Sequence, residues 1–201
     1  DEALRSFELQ EGLRMELVAS EPLTSSPCAM AFDAMGRLFV AENRGYPRGP
    51  AEGEAPMGII SLLEDTDHDG LMDKRTIFAE GLSFPNGVLP WKDGLLVTCA
   101  PDLLFLRDTN GDGKADEKQI LLTGFDTKKS TQLRVNGPTV GPDGWIWLAS
   151  GLSGGLISNP NHPELPPLEL KTDLRFDPTS GRFESVPGQS QYGHSFDTAG
   201  R

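Results

Sequence analysis

Two acidic loops of the same pattern carry the side chains best suited to hold a metal ion. Residues 65–73 read D-x-D-x-D-G-x-x-D, and residues 108–116 read D-x-N-x-D-G-x-x-D. Carboxylates at alternate positions can converge on one hard cation such as Ca²⁺, the glycine permits the sharp turn, and the position-seven carbonyl adds an oxygen. The expected calcium ligands are Asp65, Asp67, Asp69, the Leu71 carbonyl and Asp73 in the first loop, and Asp108, Asn110, Asp112, the Lys114 carbonyl and Asp116 in the second.

The flanking residues favour strands rather than helices around both loops. A helix-flanked calcium loop requires a bidentate Glu at position twelve, whereas this sequence has Thr76 and Gln119 there. Short apolar runs precede and follow each loop, so each loop is expected to close a β-hairpin. Asp73 and Asp116 would then replace the missing Glu. The alternative is an acidic turn without metal, because Asp and Gly favour turns in any case.

A strand–turn–strand pattern that recurs along the chain indicates which elements position these loops. Its turn glycines are Gly36, Gly94 and Gly144, and the pattern begins again before Gly200. A repeat of roughly 50 residues with about four strands per unit is typical of β-propeller blades. The sequence therefore predicts an all-β fold made of four-stranded blades.

Three blades and the start of a fourth can be delimited along the chain. We expect the outer strand of a closing blade within residues 1–21 (at 14–19), blades over 22–85, 86–135 and 136–193, and the start of a fourth blade at 194–201. In the third blade the expected strands are 138–142, 145–149, 170–176 and 182–186, with a long loop over 151–168. A closed propeller needs at least four blades, so we expect the N-terminal part of a larger propeller.

The loops of such blades fall on two faces with different composition. Both acidic loops and the tight turns share one face, while nearly all long loops leave the other, which is the default place for a binding site. The candidates near the axis of that face are Asn86, Arg134, Asn136 and His194, overhung by Arg44 and Tyr46. Each has a plainer interpretation: Asn-Gly pairs mark turns, a histidine before a strand often caps it, and arginines are often surface charges.

Composition excludes several classes of partner and site. A formal net charge of −12 and a pI of about 4.6 argue against nucleic-acid phosphate as a ligand. No apolar run approaches the roughly 18 residues of a membrane span. Cys28 and Cys99 are isolated, which favours two thiols over a disulfide, and the sequence contains no C-x-x-C-H haem site.

The calcium motifs also bear on location. Hairpin sites of this kind suit millimolar calcium, so we expect a periplasmic or extracellular protein. No signal peptide is visible, and because the chain starts at Asp1 without Met, a mature or trimmed form is expected.

Four segments together resemble one known family. They are Leu17–Pro22 (L-V-A-S-E-P), Val40–Pro47 (V-A-E-N-R-G-Y-P), Leu62–Asp67 (L-L-E-D-T-D) and Arg134–Gly137 (R-V-N-G). They resemble the membrane-bound dehydrogenase domain of planctomycetes and verrucomicrobia, which is similar to the six-bladed propeller of soluble quinoprotein glucose/sorbosone dehydrogenases. The resemblance covers almost the whole chain. It implies a six-bladed fold, with membrane association through segments outside this sequence.

The resemblance also implies a chemistry. In the quinoprotein dehydrogenases a histidine before the Gly-Pro-Asp-Gly turn acts as general base on a sugar hydroxyl, and hydride passes to pyrroloquinoline quinone (PQQ). The matching position here is Leu133 or Arg134, and neither can serve as that base. His194 is then the candidate catalytic residue, and Arg44, Tyr46, Asn86, Arg134 and Asn136 are the candidate cofactor-binding residues.

Three functional hypotheses follow. The first is a calcium-stabilised quinoprotein-dehydrogenase-like propeller that oxidises carbohydrate alcohols and passes electrons to a fused cytochrome c module. The second is a non-catalytic propeller that binds glycan or protein, with calcium in a purely structural role. The third is a scaffold that docks a cytochrome domain encoded downstream.

Overall fold

The computed structural model describes residues 2–200, which form an almost entirely β structure, as predicted. A short helix, α1 (Glu2–Arg5), precedes the strands, and a 3₁₀ turn spans Thr131–Leu133. The strands are β1 (Pro27–Phe32), β2 (Leu38–Glu42), β3 (Gly58–Glu64), β4 (Lys74–Leu82), β5 (Gly87–Trp91), β6 (Gly94–Cys99), β7 (Asp102–Arg107), β8 (Glu117–Phe125), β9 (Asn136–Val140), β10 (Ile146–Ala149), β11 (Gly155–Ser158), β12 (Leu168–Leu170), β13 (Asp173–Phe176) and β14 (Phe183–Val186).

Three antiparallel sheets correspond to the three predicted blades. The first has the order β1-β2-β3-β4, the second contains β5-β6-β7-β8 in sequence, and the third has the order β9-β10-β13-β14. The innermost strands lie side by side, because β1 contacts β5 and β5 contacts β9. The described residues thus form an open array of blades around a common axis, which confirms the prediction of a partial propeller.

Apolar side chains fill the space between successive blades. Phe39, Ile60 and Leu62 of the first blade share one buried cluster with Leu95 and Val97 of the second. The opposite face of the second blade buries a separate cluster against the third, formed by Leu96, Leu103, Leu122, Ile146, Leu148 and Phe176. The second blade is therefore covered on both faces, and such contacts between neighbours are what make stacked repeats stable.

The second sheet has two strands that the sequence did not predict. The predicted loop over 151–168 contains β11, which pairs with β8, and β12 pairs in turn with β11. Ile157 and Leu170 are buried in the cluster between the second and third blades. Burial of these side chains and the otherwise unpaired edge of β8 favour the extension. Leu170 accordingly belongs to β12, and the third strand of the third blade begins only at Asp173.

The predicted strand at 14–19 does not form, although the segment lies in the expected place. The Met72 N–H, at position eight of the first acidic loop, donates to the Val18 carbonyl at 2.8 Å. At the same position of the second loop, the Ala115 N–H donates to the Phe78 carbonyl of β4, also at 2.8 Å. Residues 14–19 therefore contact the first acidic loop in the way that β4, the outer strand of the first blade, contacts the second acidic loop. No strand among the described residues pairs with them.

The predicted start of a fourth blade is also not a strand within the described part of the chain. Gly200 N donates to the Asp197 carbonyl at 2.9 Å, which forms the expected tight turn. The Phe196 ring packs edge-on against Trp147 of the third blade, with centroids 5.3 Å apart. Arg201 lies outside the described residues. Within residues 2–200, no helix is long and apolar enough to cross a membrane.

The close approach of β11 to β8 gives a test of the extended second sheet. Gly124 has φ +98, and a Cβ there would lie 2.0 Å from the Leu156 carbonyl oxygen. Gly124→Ala adds this overlap to the strain of a side chain at positive φ. It should therefore lower the free energy of unfolding by about 1–3 kcal/mol more than a Gly→Ala change that adds backbone strain alone. Gly12→Ala is the matched control, because Gly12 has φ +86 and nothing within 4 Å of that Cβ position. Denaturant unfolding of both variants gives the comparison, and equal losses would contradict the packing of β11 on β8.

Candidate functional site

A cavity of about 430 Å³ opens on the loop-rich face beside the innermost strands. Loops from all three blades line it, and the lining side chains are hydroxyl, amide and tyrosine groups for the most part. The residues are Ser26, Pro27, Cys28, Asn43, Gly45, Tyr46, Asn86, Thr131, Gln132, Gln191 and Tyr192. Among the described residues that line it, none carries a formal charge. The structure thus brings Tyr46 and Asn86 together, while Arg44, Arg134, Asn136 and His194 do not line this cavity.

Tyr192 connects the third blade to the other two across the cavity. Its hydroxyl donates to the Cys28 carbonyl at 2.7 Å and lies 3.2 Å from the Asn86 carbonyl. Burial, and then the nearby Cys28 thiol, raise the pKa of Tyr192, so the hydroxyl remains a donor at neutral pH. Sequence patterns did not identify Tyr192, because its role depends on where the loop over 187–194 crosses the axis.

Two asparagines at the cavity differ in their hydrogen bonding. With its side-chain nitrogen facing the carbonyls, Asn86 donates to Thr98 O and Val135 O, both at 3.2 Å. The amide therefore joins the second blade to the start of the third. Asn43 Oδ1 is buried beside the cavity and has no hydrogen-bond partner among the described residues. An acceptor at this site thus remains unsatisfied by the protein.

The two candidate arginines are held in different ways. Arg44 donates to the fully buried Glu42 through Nε at 2.9 Å and Nη2 at 2.7 Å. Glu42 also accepts from Ser61 Oγ at 2.5 Å and from Arg75 Nη2 at 3.3 Å. Arg44 is therefore held in an ion pair within the first blade, although it shares the one carboxylate of Glu42 with Arg75.

Arg134 is 7% exposed, and its guanidinium forms no ion pair with a carboxylate of the described residues. Its guanidinium lies 4.8 Å from the centroid of the Phe84 ring, and Nη2 donates to the Thr127 carbonyl at 3.2 Å. Nε and Nη1 are buried and have no partner among the described residues. Burial lowers the pKa of Arg134 and outweighs the opposite effect of Cys99 and Asp126. An arginine nevertheless remains protonated in such a setting.

Asn136 has a structural role. It is completely buried, and its Nδ2 donates to the Arg134 and Gln191 carbonyls, each at 2.9 Å. Its Oδ1 accepts from the Gly193 N–H at 2.7 Å. These bonds hold the loop that carries Tyr192 against β9, so the side chain is committed to the fold.

His194 is paired with a buried aspartate. Its Nε2 lies 3.2 Å from Asp173 Oδ2, and its Nδ1 is buried without a partner among the described residues. Asp173 also accepts from the Ser150 N–H at 2.9 Å and from the Ser190 N–H and hydroxyl. Burial raises the pKa of Asp173, but the hydrogen bonds from Ser150, Ser190 and His194 outweigh it and leave the pKa below its ordinary value.

The first acidic loop gathers three of its predicted ligands. Oxygens of Asp65, Asp67 and Asp69 all lie within 4.8 Å of one another. Asp65 accepts from the Gly70 N–H at 2.9 Å and from the Asp69 N–H at 3.2 Å. The hydrogen bond from Gly70 is the main cause that lowers the pKa of Asp65, so this carboxylate is ionised at neutral pH.

The second acidic loop repeats the same scheme. Asp108 accepts from the Gly113 N–H at 2.8 Å and from the Asp112 N–H at 3.2 Å, as Asp65 does in the first loop. Asn110 Oδ1 accepts from the Asp112 N–H at 2.9 Å. Burial raises the pKa of Asp108, but these backbone hydrogen bonds outweigh it, and the pKa is lowered.

The ninth-position acids are placed differently from the prediction. Asp73 accepts from the N–H and hydroxyl of Thr66, at 3.1 and 2.6 Å, and does not join the carboxylate group of the first loop. Asp116 holds the N–H and hydroxyl of Thr109 in the same way. The threonine at position two, which the sequence analysis did not use, accounts for this difference. Asp73 and Asp116 thus fasten the hairpin ends, and the side-chain candidates that remain at the loop centres are Asp65, Asp67 and Asp69 in the first loop and Asp108, Asn110 and Asp112 in the second.

Both cysteines are free, as the sequence predicted. The Cys28 thiol contacts the Pro85 carbonyl at 3.1 Å, and the Cys99 thiol contacts the Ser83 carbonyl at 3.4 Å. Burial raises the pKa of each thiol to about 11. Neither is therefore a reactive thiolate at neutral pH, although Cys28 lines the cavity.

Comparison with known protein families finds a match over the whole chain. The model of a domain of unknown function, DUF7133, matches residues 1–201. No curated protein matches the chain. The candidate sites have therefore to be judged from their own geometry.

The Asp173–His194 pair generates a prediction about pH. Because the folded-state pKa of Asp173 is lowered, its stabilising effect is present above the unfolded value of about 3.9 and is lost as pH falls through the folded value. Asp173→Asn should lower the free energy of unfolding at neutral pH by about 1–3 kcal/mol. The difference in free energy of unfolding between wild type and variant should shrink in acid. Denaturant unfolding across pH 2–7 measures this difference, and a change of one pKa unit corresponds to about 1.4 kcal/mol.

Glu169→Gln is the matched control for removing one negative charge. Glu169 pairs with Lys171 at 3.0 Å, but both side chains are largely exposed. Its removal should change stability by less than about 1 kcal/mol at any pH. An Asp173→Asn gap that stayed constant into acid would show that the ionised carboxylate is not what stabilises the fold.

Proposed function

The chain belongs to the DUF7133 family of unknown function, and we propose that its blades, held by calcium, present a carbohydrate-binding cavity on the axial face. The observation that carries this proposal is the chemistry of the cavity wall. Two tyrosines, four amides and two hydroxyls converge there from three blades, and no charged side chain accompanies them. Small-molecule sites combine apolar or aromatic surface with a few placed polar groups in this manner.

Amide and tyrosine groups suit a neutral polyhydroxyl ligand. Each amide offers both an acceptor and donors, as a sugar hydroxyl does, so the two can pair in either sense. Tyr46 and Tyr192 are about half exposed, at 47% and 56%, and their rings provide apolar surface for the C–H face of a sugar. The volume of about 430 Å³ lies within the range of roughly 300–1,000 Å³ for small-molecule sites.

The residues around this cavity do not fit PQQ, which carries three carboxylates. A buried anion needs fixed cationic donors, because its desolvation is otherwise costly. Arg44 is held by Glu42, and neither Arg44 nor Arg134 is among the lining residues. Of the candidate cofactor-binding residues, Tyr46 and Asn86 reach the cavity, and both are neutral. We therefore favour the non-catalytic hypothesis for this part of the protein.

Oxidation of carbohydrate alcohols stays a prediction of the family resemblance. A general base must come within about 2.6–3.2 Å of the hydroxyl proton it removes, and His194 does not line the cavity. Its Nε2 is occupied by Asp173, and its Nδ1 is buried. Electron transfer to a cytochrome c module and a periplasmic or extracellular location likewise stay predictions.

Calcium binding is supported by the donor set and by its repetition. Oxygens of three carboxylates converge in the first loop, and the second loop has the same backbone hydrogen bonds to its first aspartate. Hard oxygen ligands in alternating positions suit Ca²⁺ rather than a softer metal. Both loops also bond to main-chain atoms of the preceding unit, so an ion there would stabilise the contact between blades.

Calcium should therefore raise the stability of the protein. At a hundredfold excess over the dissociation constant, a ligand that binds only the folded state adds about 2.7 kcal/mol. Melting in calcium and in chelator should differ, and the difference should fall in Asp65→Asn and Asp108→Asn.

Asp177→Asn is the control for the calcium experiment. Asp177 lies in the outer hairpin of the third blade and binds Thr179 and Ser180, but that hairpin lacks the metal motif. Asp177→Asn should keep the full calcium response even if it lowers stability. Identical melting with and without chelator, together with no metal by elemental analysis, would refute the calcium proposal.

Carbohydrate binding should depend on the ring of Tyr46. Titration calorimetry against a panel of neutral oligosaccharides should find a binder, and Tyr46→Ala should weaken its binding about tenfold, which corresponds to about 1.4 kcal/mol. Tyr46→Phe keeps the stacking surface and should retain most of the affinity. Acidic and sulfated oligosaccharides should bind more weakly, because the wall offers no cation.

Trp145→Ala is the matched control for loss of an aromatic ring. The Arg175 guanidinium lies 4.7 Å from the centroid of the Trp145 ring on the third blade. Trp145 does not line the cavity. Binding that is lost equally in Trp145→Ala and Tyr46→Ala would place the site elsewhere. Absence of binding to every neutral oligosaccharide tested would remove the basis of the proposal.

A further inference from the structure

The sequence contains three Asn-Gly pairs, and the structure places them in different surroundings. They are residues 86–87, 110–111 and 136–137. After an asparagine, a glycine nitrogen can approach the side-chain carbon closely because no Cβ stands in the way. Such a pair can lose its amide through a cyclic imide, provided that the backbone can move and water can enter. Burial and hydrogen bonding therefore decide which pair reacts.

Two of the pairs are protected by the fold. Asn86 is 6% exposed, and Gly87 begins β5 and pairs with Thr98. Asn136 is completely buried, with its side-chain amide in three hydrogen bonds. Ring closure at either pair requires local opening of the blade, which costs free energy.

The third pair, Asn110-Gly111, lies exposed at the tip of the second acidic loop. Gly111 has φ +80 and nothing within 4 Å of a Cβ position, so no neighbour obstructs its movement. Its N–H donates to Asp108 Oδ1 at 2.7 Å, an exposed bond that can open without any opening of a blade. Asn110 Oδ1 accepts from the Asp112 N–H at 2.9 Å, which polarises the carbonyl that would be attacked.

We propose that Asn110 is a site of spontaneous deamidation in the folded protein. The Gly111 nitrogen attacks Asn110 Cγ, a carbon–nitrogen bond forms, and the bond to the side-chain nitrogen breaks. Ammonia leaves with the proton that the Gly111 nitrogen gives up. Water then opens the five-membered imide at one of its two carbonyl carbons, and aspartate or isoaspartate results. One water is consumed and one ammonia released, with no change of oxidation state.

Each product alters the second loop in a defined way. Aspartate gives this loop the same acids at positions one, three and five as the first loop, which has Asp65, Asp67 and Asp69. Isoaspartate adds a main-chain carbon and removes the bond from Asp112 N to Asn110 Oδ1. The deamidation itself follows from exposure and geometry, and it does not depend on whether the loop binds calcium.

Peptide mapping of the whole chain tests this inference with internal controls. The folded protein is incubated at mildly alkaline pH in chelator, then digested, and each Asn-Gly peptide is examined by mass spectrometry for exchange of amide for carboxylate. Asn110 should convert at least about tenfold faster than Asn86 and Asn136, because opening a buried pair costs more than about 1.4 kcal/mol. In denaturant the three rates should converge.

Asn110→Gln provides the matched variant. It keeps a side-chain amide at the loop tip but requires a larger ring, so ammonia release from the folded protein should fall to the level of the buried pairs. An Asn110 amide that persists in the folded protein as long as Asn86 and Asn136 would overturn the inference. A parallel incubation in calcium shows whether an ion slows the reaction, and that outcome bears on calcium binding alone.

Discussion

Burial of apolar side chains between successive blades is the constraint on which the rest of the structure depends. A four-stranded sheet has two faces, and the second blade covers one with Phe39 and Ile60 of the first blade and the other with Leu148 and Phe176 of the third. This packing fixes the innermost strands side by side, so the loops that precede them meet at one place. The cavity exists because separate chain segments from three blades are brought together, and no single blade supplies all of its walls.

The sequence predicted the blades well because strand alternation and turn glycines are local signals. Four strands per unit appeared where expected around Gly36, Gly94 and Gly144. The strands β11 and β12 were missed because their pairing depends on the exposed edge of β8, which is a property of the assembled sheet. The segment at 14–19 was placed correctly but given the wrong conformation, since strand geometry requires a hydrogen-bonded neighbour and no described strand provides one.

The candidate site shows the limit of reading residues one at a time. Arg44 is a plausible anion donor in the sequence, but its guanidinium lies 2.7 Å from Glu42, two residues earlier. Asn136 belongs to a residue type that often binds ligands, yet two of its three side-chain bonds hold the loop that carries Tyr192 and the third goes to the Arg134 carbonyl. Asp73 and Asp116 fit a metal motif by spacing, and the structure shows each accepting hydrogen bonds from the threonine at position two. In each case a partner that the sequence analysis did not consider determines what the side chain contacts.

The bonds from Met72 to Val18 and from Ala115 to Phe78 join main-chain atoms only. Such a bond makes no demand on side-chain identity at either end, so it survives sequence drift. The attachment of an acidic loop to the preceding unit therefore places no requirement on the side chains that meet there. Which blades can be neighbours is instead decided by the apolar side chains between them.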